Sequence, residues 1–529
     1  MNDKKNIIVA AALINAVLFT IFFLLFHPVY DSREDVYMLY LLSGGYGDAP
    51  TEMLHYNHIM HPFLGWLIKD LFLLNSHVNW YSLSLIAAHF ISCTVILTCI
   101  IQHKNKLVAY ISYAVLFIIF EGYFLLSLDF TGASLTIAIA ALLFLLIKSW
   151  AGILRYQHCI LAGVLLLLAS LYRIHTIIPL IGVALPFLLL TIRKQAMIRI
   201  FVSLIVSGFA IFLLNKVHQT YYKVIKPNWA QEEQYRQKTF RFFNEQSSLY
   251  QPAPGEKWYN EHEVAVNGLV MDSSYMSSAT LDSMYHDLKH QGLVHQSLSP
   301  EWKKWFFINN RLFFCAVLLF FLLYGLRKKI LPATIISLVL LTAGFVYLLF
   351  RAKAPPYILI SSLSFICFTT FLHSQDDFMR YKKLYQIVIP AALLLTGCWG
   401  IVRLYRTSQQ NIVATWQFKQ QYAEIAAHPD NLFIGLNHFD LHKFYVLDVP
   451  PSYPLTNYLH GQRFGDNGYH STLERFGINN IQGIFSSPKV LFWGDLSEPQ
   501  RINFEKIAGH SLKFSPVMEF KQPPVWKVE

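Results

Sequence analysis

The chain of 529 residues is 54% hydrophobic and only 14% charged. A soluble multidomain protein would carry more charge, so this composition is typical of a multi-pass membrane protein. The formal net charge is +11, but no basic run interleaved with aromatic residues lies in a polar segment. We therefore do not expect a nucleic-acid partner.

The first apolar run covers residues 7–26, carries no charge and is long enough to cross the hydrocarbon core of a membrane. Lys4 and Lys5 precede it, which predicts a cytoplasmic N-terminus. No small-residue cleavage site follows at Phe26-His27-Pro28. We therefore interpret the run as an uncleaved membrane anchor rather than a signal peptide.

Further apolar runs raise the predicted number of transmembrane helices to about 11. They lie near residues 80–101, 107–127, 131–147, 158–172, 176–192, 197–214, 306–326, 330–350, 356–372 and 386–402. Lys and Arg concentrate in alternate connections, which predicts that those connections are cytoplasmic and that the C-terminus lies outside. The long polar segments then share the outer face; they are residues 27–79, 215–305 and 403–529.

The last polar segment differs from the rest of the chain. Leu432–Leu436 and Val490–Trp493 are short β-like runs, each followed by turn-forming residues. They predict a small extracytoplasmic α/β domain over residues 403–529, after an all-α multi-span domain over residues 1–402. All six cysteines lie in or beside apolar runs, so no disulfide framework or CxxC metal site is expected in the outer segments.

An acidic cluster, Asp31-Ser32-Arg33-Glu34-Asp35, directly follows the first span. If the segment is helical, the spacing places Asp31, Glu34 and Asp35 on adjacent positions. A carboxylate there can act as a general base towards an acceptor hydroxyl. The alternative is an ordinary solvated loop at the membrane surface.

Cationic or ionisable residues lie at two outer helix ends, where the positive-inside bias disfavours them. Arg173 and His175 follow the fifth span, and Arg351 and Lys353 follow the ninth. Arg is suited to bidentate recognition of phosphate, so we predict that these residues bind a lipid-linked phosphate. Snorkelling towards lipid headgroups is the alternative.

His55, His58 and His61 recur at every third position and could line a substrate cleft, lie on an interfacial helix, or bind zinc. Glu121 lies within the third span, and an intramembrane carboxylate is a functional candidate. We place it in the substrate cleft, with a hydrogen bond to a neighbouring helix as the alternative. Asp129, at the outer end of that span, is expected to be more exposed and less informative.

An acidic motif at the start of the first outer loop of a multi-span chain resembles the GT-C class of glycosyltransferases, which take a sugar from a polyprenyl phosphate carrier. The resemblance implies that Asp31 or the Glu34-Asp35 pair is the base or a metal ligand. It also implies that Arg351 lies near the donor phosphate. Because the motif is Glu-Asp rather than Asp-Asp, a requirement for a divalent metal such as Mg²⁺ or Mn²⁺ stays open.

The resemblance further implies hexosyl or pentosyl transfer, from a polyprenyl-phosphate sugar to a cell-surface glycan or lipid-linked acceptor, at the outer face of the bacterial cytoplasmic membrane. A polysaccharide polymerase or ligase is one rival, and such enzymes rely on Arg and His in outer loops. A secondary transporter is another, but it predicts paired broken helices that we do not find. A transferase acts in detergent, whereas a transporter needs a sealed compartment.

Overall fold

The computed structural model describes most of the chain, and the described part is mostly helical. The described residues are 2–52, 60–103, 106–225, 228–244, 252–262, 276–290, 330–350, 356–373, 383–436, 443–460, 467–520 and 524–529. Among them, six helices are long and apolar enough to cross a membrane. The chain is therefore a multi-pass membrane protein, while the count of about 11 spans stays a prediction and the predicted span at 306–326 lies outside the described residues.

The helices of the first part of the chain follow the apolar runs. They are α1 (Asn2–Leu25), α2 (Arg33–Ser43), α3 (Pro62–Leu74), α4 (Trp80–His103), α5 (Lys106–Leu116), a π-helical turn (Phe117–Glu121), α6 (Gly122–Leu126), α7 (Phe130–Trp150), α8 (Tyr156–Leu190) and α9 (Lys194–Ile225). The α7 helix is buried along nearly its whole length, which places it at the centre of the bundle.

The later helices continue the bundle and lead into a part of the chain that we call the outer part, after the side of the membrane that the sequence predicts for it. They are α10 (Trp229–Asn244), α11 (Ser278–His290), α12 (Leu331–Phe350), α13 (Pro356–His373), α14 (Lys383–Ala426), α15 (Asn467–Arg475), α16 (Gly483–Ser486) and α17 (Glu498–Ala508). The α14 helix is continuous through residue 402, where the sequence predicts a domain boundary. The division into two domains stays a prediction.

The α8 helix changes direction at Arg173, which has the extended backbone angles φ −161° and ψ 108°. The helix begins shortly after Trp150, and the indole of Trp150 also donates to the Thr191 hydroxyl at the far end of α8 (2.9 Å). Ser134, at the other end of α7, donates to the Arg173 carbonyl (3.0 Å). A straight helix of 35 residues would be about 50 Å long, so α8 consists of two antiparallel segments, as the two separate apolar runs predict.

A short parallel ribbon joins the first outer loop to the end of the third span. Strand β1 (Val29–Tyr30) pairs with β2 (Ser127–Leu128), and Tyr30 lies opposite Leu128. The residues that follow the two strands, Asp31 and Asp129, therefore leave the ribbon at the same end. Nothing in the periodicity of the sequence indicates this pairing, which brings together residues far apart in the chain.

The outer part contains a five-stranded sheet in the order β4-β3-β5-β7-β6. Its strands are β3 (Leu432–Gly435), β4 (Tyr458–His460), β5 (Val490–Trp493), β6 (Phe514–Pro516) and β7 (Val525–Val528). Strands β4 and β5 run parallel to β3, and the other neighbours are antiparallel. Every residue of β3 and β5 is buried, as expected for parallel strands covered on both faces.

The described part of the large outer loop packs on this sheet. Tyr235 of α10 and Leu281 of α11 share one apolar core with Phe504 of α17. The Asn503 amide also donates to the carbonyl of Asn260 (2.7 Å). The loop and the sheet therefore form one outer body, which the sequence did not predict.

The outer body is seated on the segment that follows α2. The Tyr46 hydroxyl is hydrogen-bonded to Nε2 of His460 (3.0 Å), and the Arg475 guanidinium donates to the carbonyl of Tyr46 (3.0 Å). The amide of Asn79 donates to the carbonyl of Asp448 (2.8 Å). These contacts fix the first outer loop between the membrane helices and the sheet.

Candidate active site

Asp35 is fully buried at the start of α2. Its Oδ1 accepts from the Tyr81 hydroxyl (2.6 Å) and from the backbone N–H of Phe130 (3.1 Å), and its Oδ2 accepts from the Ser32 hydroxyl (2.6 Å). Burial first, and then the charge of Asp129, raise the pKa of Asp35 well above its usual value. Asp35 thus ties α2, α4 and α7 together. We call this group, with Ser32, Tyr81 and the Phe130 N–H, the Asp35 anchor.

Asp31 is exposed at the end of β1, and its backbone N–H donates to the carbonyl of Leu128 (3.1 Å). Asp129 caps the N-terminus of α7 by accepting from the N–H of Gly132 (2.6 Å). Burial, followed by the charge of Asp31, raises the pKa of Asp129 to about 7. These carboxylates therefore form an interacting pair that carries less negative charge at neutral pH than two isolated groups would.

The expectation that Asp129 is exposed and uninformative was wrong, because this side chain is only 7% exposed. The burial comes from the β1–β2 pairing and from the packing around α7. A signal was present in the sequence: an Asp directly before an apolar helical run is a typical N-cap. An N-cap carboxylate lies at a helix end, and the N-terminal end of α7 lies beside the start of the first outer loop.

Arg173 lies half-buried at the reversal of α8. Its guanidinium donates to the Thr131 hydroxyl (2.6 Å) and lies over the rings of Phe130 (5.3 Å) and Tyr357 (5.6 Å). None of the ion pairs in the described part of the chain involves Arg173. Exposed His175 lies near enough for its charge to interact with that of Arg173. The guanidinium keeps donors available for an anionic ligand.

Tyr357, at the start of α13, lies near both the acidic and the cationic residues. Its hydroxyl is close enough to interact electrostatically with Arg173, Asp129, Glu34 and Asp31. Nothing in the sequence indicated Tyr357, which is one of many aromatic residues at helix ends. We call Asp31, Asp129 and Arg173 the Arg173 rim; Glu34 lies half-buried beside it in the first turn of α2.

Some predicted residues lie outside the described residues; they are His55, His58, Arg351 and Lys353. His61 is described and nearly buried at the N-terminus of α3. Its Nδ1 accepts from the N–H of Phe63 (3.2 Å), and its ring packs against His218 with centroids 5.3 Å apart. Burial lowers the pKa of His61. His61 therefore starts a helix and packs in the interior rather than lining an open cleft.

Glu121 is 6% exposed and lies within the helix bundle instead of in an open substrate cleft. Its Oε1 is 2.8 Å from Nδ1 of His89 on α4. This is the contact with a neighbouring helix that the sequence left open as the alternative. The π-helical turn that ends at Glu121 determines where its side chain projects.

The described residues do not form a metal site. No group of three or more His, Cys, Asp or Glu side chains among them is placed to hold a metal ion. In the Asp35 anchor both carboxylate oxygens already accept hydrogen bonds from protein donors, and a proton competes for Asp129 near neutral pH. A requirement for Mg²⁺ or Mn²⁺ stays a prediction.

No protein-family model matches the chain, and no curated protein matches it. Among solved structures, the chain is similar to the crystal structure of ArnT from Cupriavidus metallidurans in the apo state. The similarity covers 97% of this chain and 96% of that chain, with a TM-score of 0.43 and 12% sequence identity.

Proposed function

We propose that this chain is a GT-C type glycosyltransferase of the bacterial envelope. It transfers a sugar from a polyprenyl-phosphate-linked donor to a cell-surface glycan or lipid-linked acceptor. The observation that carries the proposal is the Arg173 rim: an arginine with available donors beside two interacting carboxylates, at the ends of membrane-spanning helices. A lipid-linked phosphate sits at that level of a membrane.

Arg173 suits the donor phosphate for physical reasons. Its planar guanidinium can donate two parallel hydrogen bonds to phosphate oxygens. The rings of Phe130 and Tyr357 pack against the guanidinium and the Thr131 hydroxyl orients it, so less side-chain freedom is lost on binding. In the transfer, the bond between the anomeric carbon and the phosphate oxygen breaks, its electron pair stays on the phosphate, and Arg173 stabilises the added charge.

Asp31 is the proposed base. It is exposed, unlike Asp35, so an acceptor hydroxyl can reach it. As the acceptor oxygen bonds to the anomeric carbon, Asp31 takes the hydroxyl proton. Neighbouring Asp129 is partly protonated near neutral pH, which limits the repulsion that two full negative charges would bring to an incoming phosphate. The Asp35 anchor holds α2 and thereby the position of Asp31.

The distribution of basic residues supports placing the site on the outer face of the cytoplasmic membrane. Lys148, Arg155 and Arg199 lie at the end of the bundle opposite Arg173. Connections rich in Lys and Arg are normally cytoplasmic. The Arg173 rim and the outer body then face outward, where a flipped lipid-linked sugar and an envelope acceptor are both accessible.

The test is transfer in detergent. The purified full-length protein, supplied with a radiolabelled polyprenyl-phosphate sugar and an envelope glycan acceptor, should release polyprenyl phosphate and label the acceptor. Both products should appear without a sealed compartment. Activity that requires closed vesicles and leaves the lipid-linked sugar intact would instead identify a transporter. Replacing an exposed carboxylate of the outer body, as in Asp430→Asn, is the matched control and should leave transfer unchanged.

A further inference from the structure

His61, in the first outer loop, satisfies backbone groups of two different helices. Its backbone N–H donates to the carbonyl of Leu171 in α8 (2.7 Å), and its Nδ1 accepts from the N–H of Phe63 in the first turn of α3 (3.2 Å). The last carbonyls and the first N–H groups of a helical segment have no partner within that segment. One residue therefore completes the start of α3 and joins it to α8.

The Leu171 carbonyl lies two residues before the reversal of α8 at Arg173. Two more carbonyls of this region, those of Ala169 (2.8 Å) and Arg173 (3.0 Å), lie within hydrogen-bonding distance of the Ser134 hydroxyl. Ser134 belongs to α7. The reversal is thus held by α7 and by the start of α3, and a change at His61 reaches the backbone of Arg173 through a short chain of contacts.

The imidazole ring of His61 is held in place by α9. The residue is 9% exposed, and its ring packs edge-on against that of His218 with centroids 5.3 Å apart. His218 packs in turn on Tyr222 (4.8 Å), and the carbonyl of Leu214 also faces the His61 ring. The ring that caps α3 therefore has a fixed orientation, which favours a strong cap.

The cap requires the neutral form of His61. An imidazolium carries a hydrogen on both nitrogens, so it cannot accept the N–H of Phe63. None of the ion pairs among the described residues involves His61, and Glu52 nearby is bound by Lys69 (3.0 Å). Burial lowers the pKa of His61, as expected for a histidine without a carboxylate partner.

Few other titratable or charged side chains lie around this ring. They are His218 and Tyr222 on α9, Lys69 on α3 with its partner Glu52, and Tyr172 and Arg173 on α8, while α10 contributes Trp229, which does not titrate. The Tyr172 hydroxyl donates to the carbonyl of Ser84 (3.0 Å). Protonation of His61 would add positive charge near Arg173 and remove the cap at the same time.

We propose that His61 is a positioning residue for Arg173: in its neutral form it joins the start of α3 to the reversal of α8 and holds that reversal in place. His61 itself does not contact the Arg173 guanidinium or the substrate. It acts through the Leu171 carbonyl on the backbone that carries Arg173. The consequence for donor binding rests on the proposed function, whereas the effect on the reversal does not.

The test is hydrogen–deuterium exchange of the full-length protein in nanodiscs, measured by mass spectrometry on a peptide that covers the reversal of α8. His61→Ala should speed exchange in this peptide by about 2- to 30-fold, the scale of a lost helix cap. His61→Asn should restore most of the protection, because its side-chain oxygen can accept the Phe63 N–H. Unchanged exchange in a folded His61→Ala protein would overturn the proposal.

The pH profile separates the role of the neutral ring from packing alone. As the pH falls below 6.5, the ordinary pKa of histidine, the wild-type peptide should lose protection by up to about 30-fold at pH 5, after correction for intrinsic exchange. His61→Asn should lack this loss, because an amide does not titrate, and any contribution from Asp129 remains in both proteins. Equal pH dependence in the two proteins would refute the proposal, and this comparison does not need His61→Ala to fold.

His77→Gln is the matched control. It changes an exposed histidine beyond the other end of α3, so it should keep the wild-type exchange at neutral pH and the wild-type pH profile. A loss of protection in His77→Gln as large as that in His61→Ala would show that the reversal responds to any change in the loop, which would contradict a specific role of His61.

Discussion

The Asp35 anchor and the Arg173 rim lie side by side, but their charged groups have opposite environments. Asp35 is buried and accepts hydrogen bonds on both oxygens from Ser32, Tyr81 and Phe130. The Arg173 guanidinium has one protein hydrogen-bond partner, Thr131, among the described residues, and Asp31 is exposed. Closeness in sequence, as between residues 31 and 35, therefore does not imply a shared environment: the Asp35 carboxylate is enclosed by protein donors, whereas the Asp31 side chain is exposed to solvent.

The comparison is tested most strongly at Asp31. Asp31→Asn keeps the size of the side chain and removes the proposed base, so transfer should fall by about 100- to 10,000-fold. Stability should change little, because the side chain is exposed. Initial rates of acceptor labelling, measured beside thermal unfolding midpoints, check both expectations. Wild-type turnover in this variant would assign the base to another residue.

Arg173 should show the next largest effect. Arg173→Ala should weaken use of the lipid-linked donor by about 10- to 1,000-fold, the scale of a lost charge-assisted contact. Arg173→Lys should recover only part, since it retains charge and loses the planar fork. Varying the donor and acceptor concentrations separately distinguishes the two affinities, and the affinity for the acceptor should change little. An unchanged donor dependence in a folded Arg173→Ala protein would mean that the residue is a membrane anchor.

Asp35 should behave differently from Asp31 and Arg173. Asp35→Ala leaves the Tyr81 hydroxyl and the Phe130 N–H buried without their acceptor, which should lower the free energy of unfolding by about 2 to 3 kcal/mol. Asp35→Asn can still accept at one oxygen and should lose less stability. Unfolding followed by thermal denaturation in detergent ranks the two variants. A fully stable Asp35→Ala protein that is inactive would move Asp35 into the catalytic group.

The raised pKa of Asp129 predicts how the stability of the protein depends on pH. Its pKa is about 7 in the folded protein against 3.8 as the ordinary value, so the folded state binds more protons than the unfolded state between these limits. This group therefore destabilises the fold increasingly as pH rises from about 4 to 7, by about 4 kcal/mol over that range. Asp129→Asn should flatten this decline in unfolding midpoints measured at several pH values. An identical decline in wild type and variant would contradict the raised pKa.

The smallest expected effect lies where the outer body meets the first loop. Tyr46→Phe removes the hydrogen bond to His460 and should cost about 1 kcal/mol of stability. Transfer rates should stay near wild type, because the contact supports the loop without touching the rim. A large loss of transfer with little loss of stability would indicate that the outer body takes part directly in the reaction.

The sequence predicted the features that depend on local composition. Apolar runs indicated the helices, and the β-like runs at Leu432 and Val490 correspond to observed strands. The acidic cluster and Arg173 were found because charge near lipid is costly and therefore conspicuous. Even the reversal of α8 followed from two apolar runs interrupted at one arginine.

The sequence could not predict which carboxylates are satisfied and which are accessible. That distinction depends on contacts between distant segments, such as the Tyr81 hydroxyl and the Phe130 N–H converging on Asp35. The β1–β2 ribbon, which places Asp129 beside Asp31, is too short to produce a periodic pattern. The shared core of the outer loop and the sheet is likewise formed by pairings that local periodicity does not encode.

The position of the donor phosphate tests the central claim most directly. A cryo-electron microscopy structure of the Asp31→Asn variant, trapped with its polyprenyl-phosphate sugar in nanodiscs, would locate that phosphate. The account predicts phosphate oxygens within about 2.7 to 3.2 Å of the Arg173 guanidinium nitrogens, with the anomeric carbon turned towards residue 31. A phosphate bound away from Arg173, with the sugar remote from residue 31, would contradict the account.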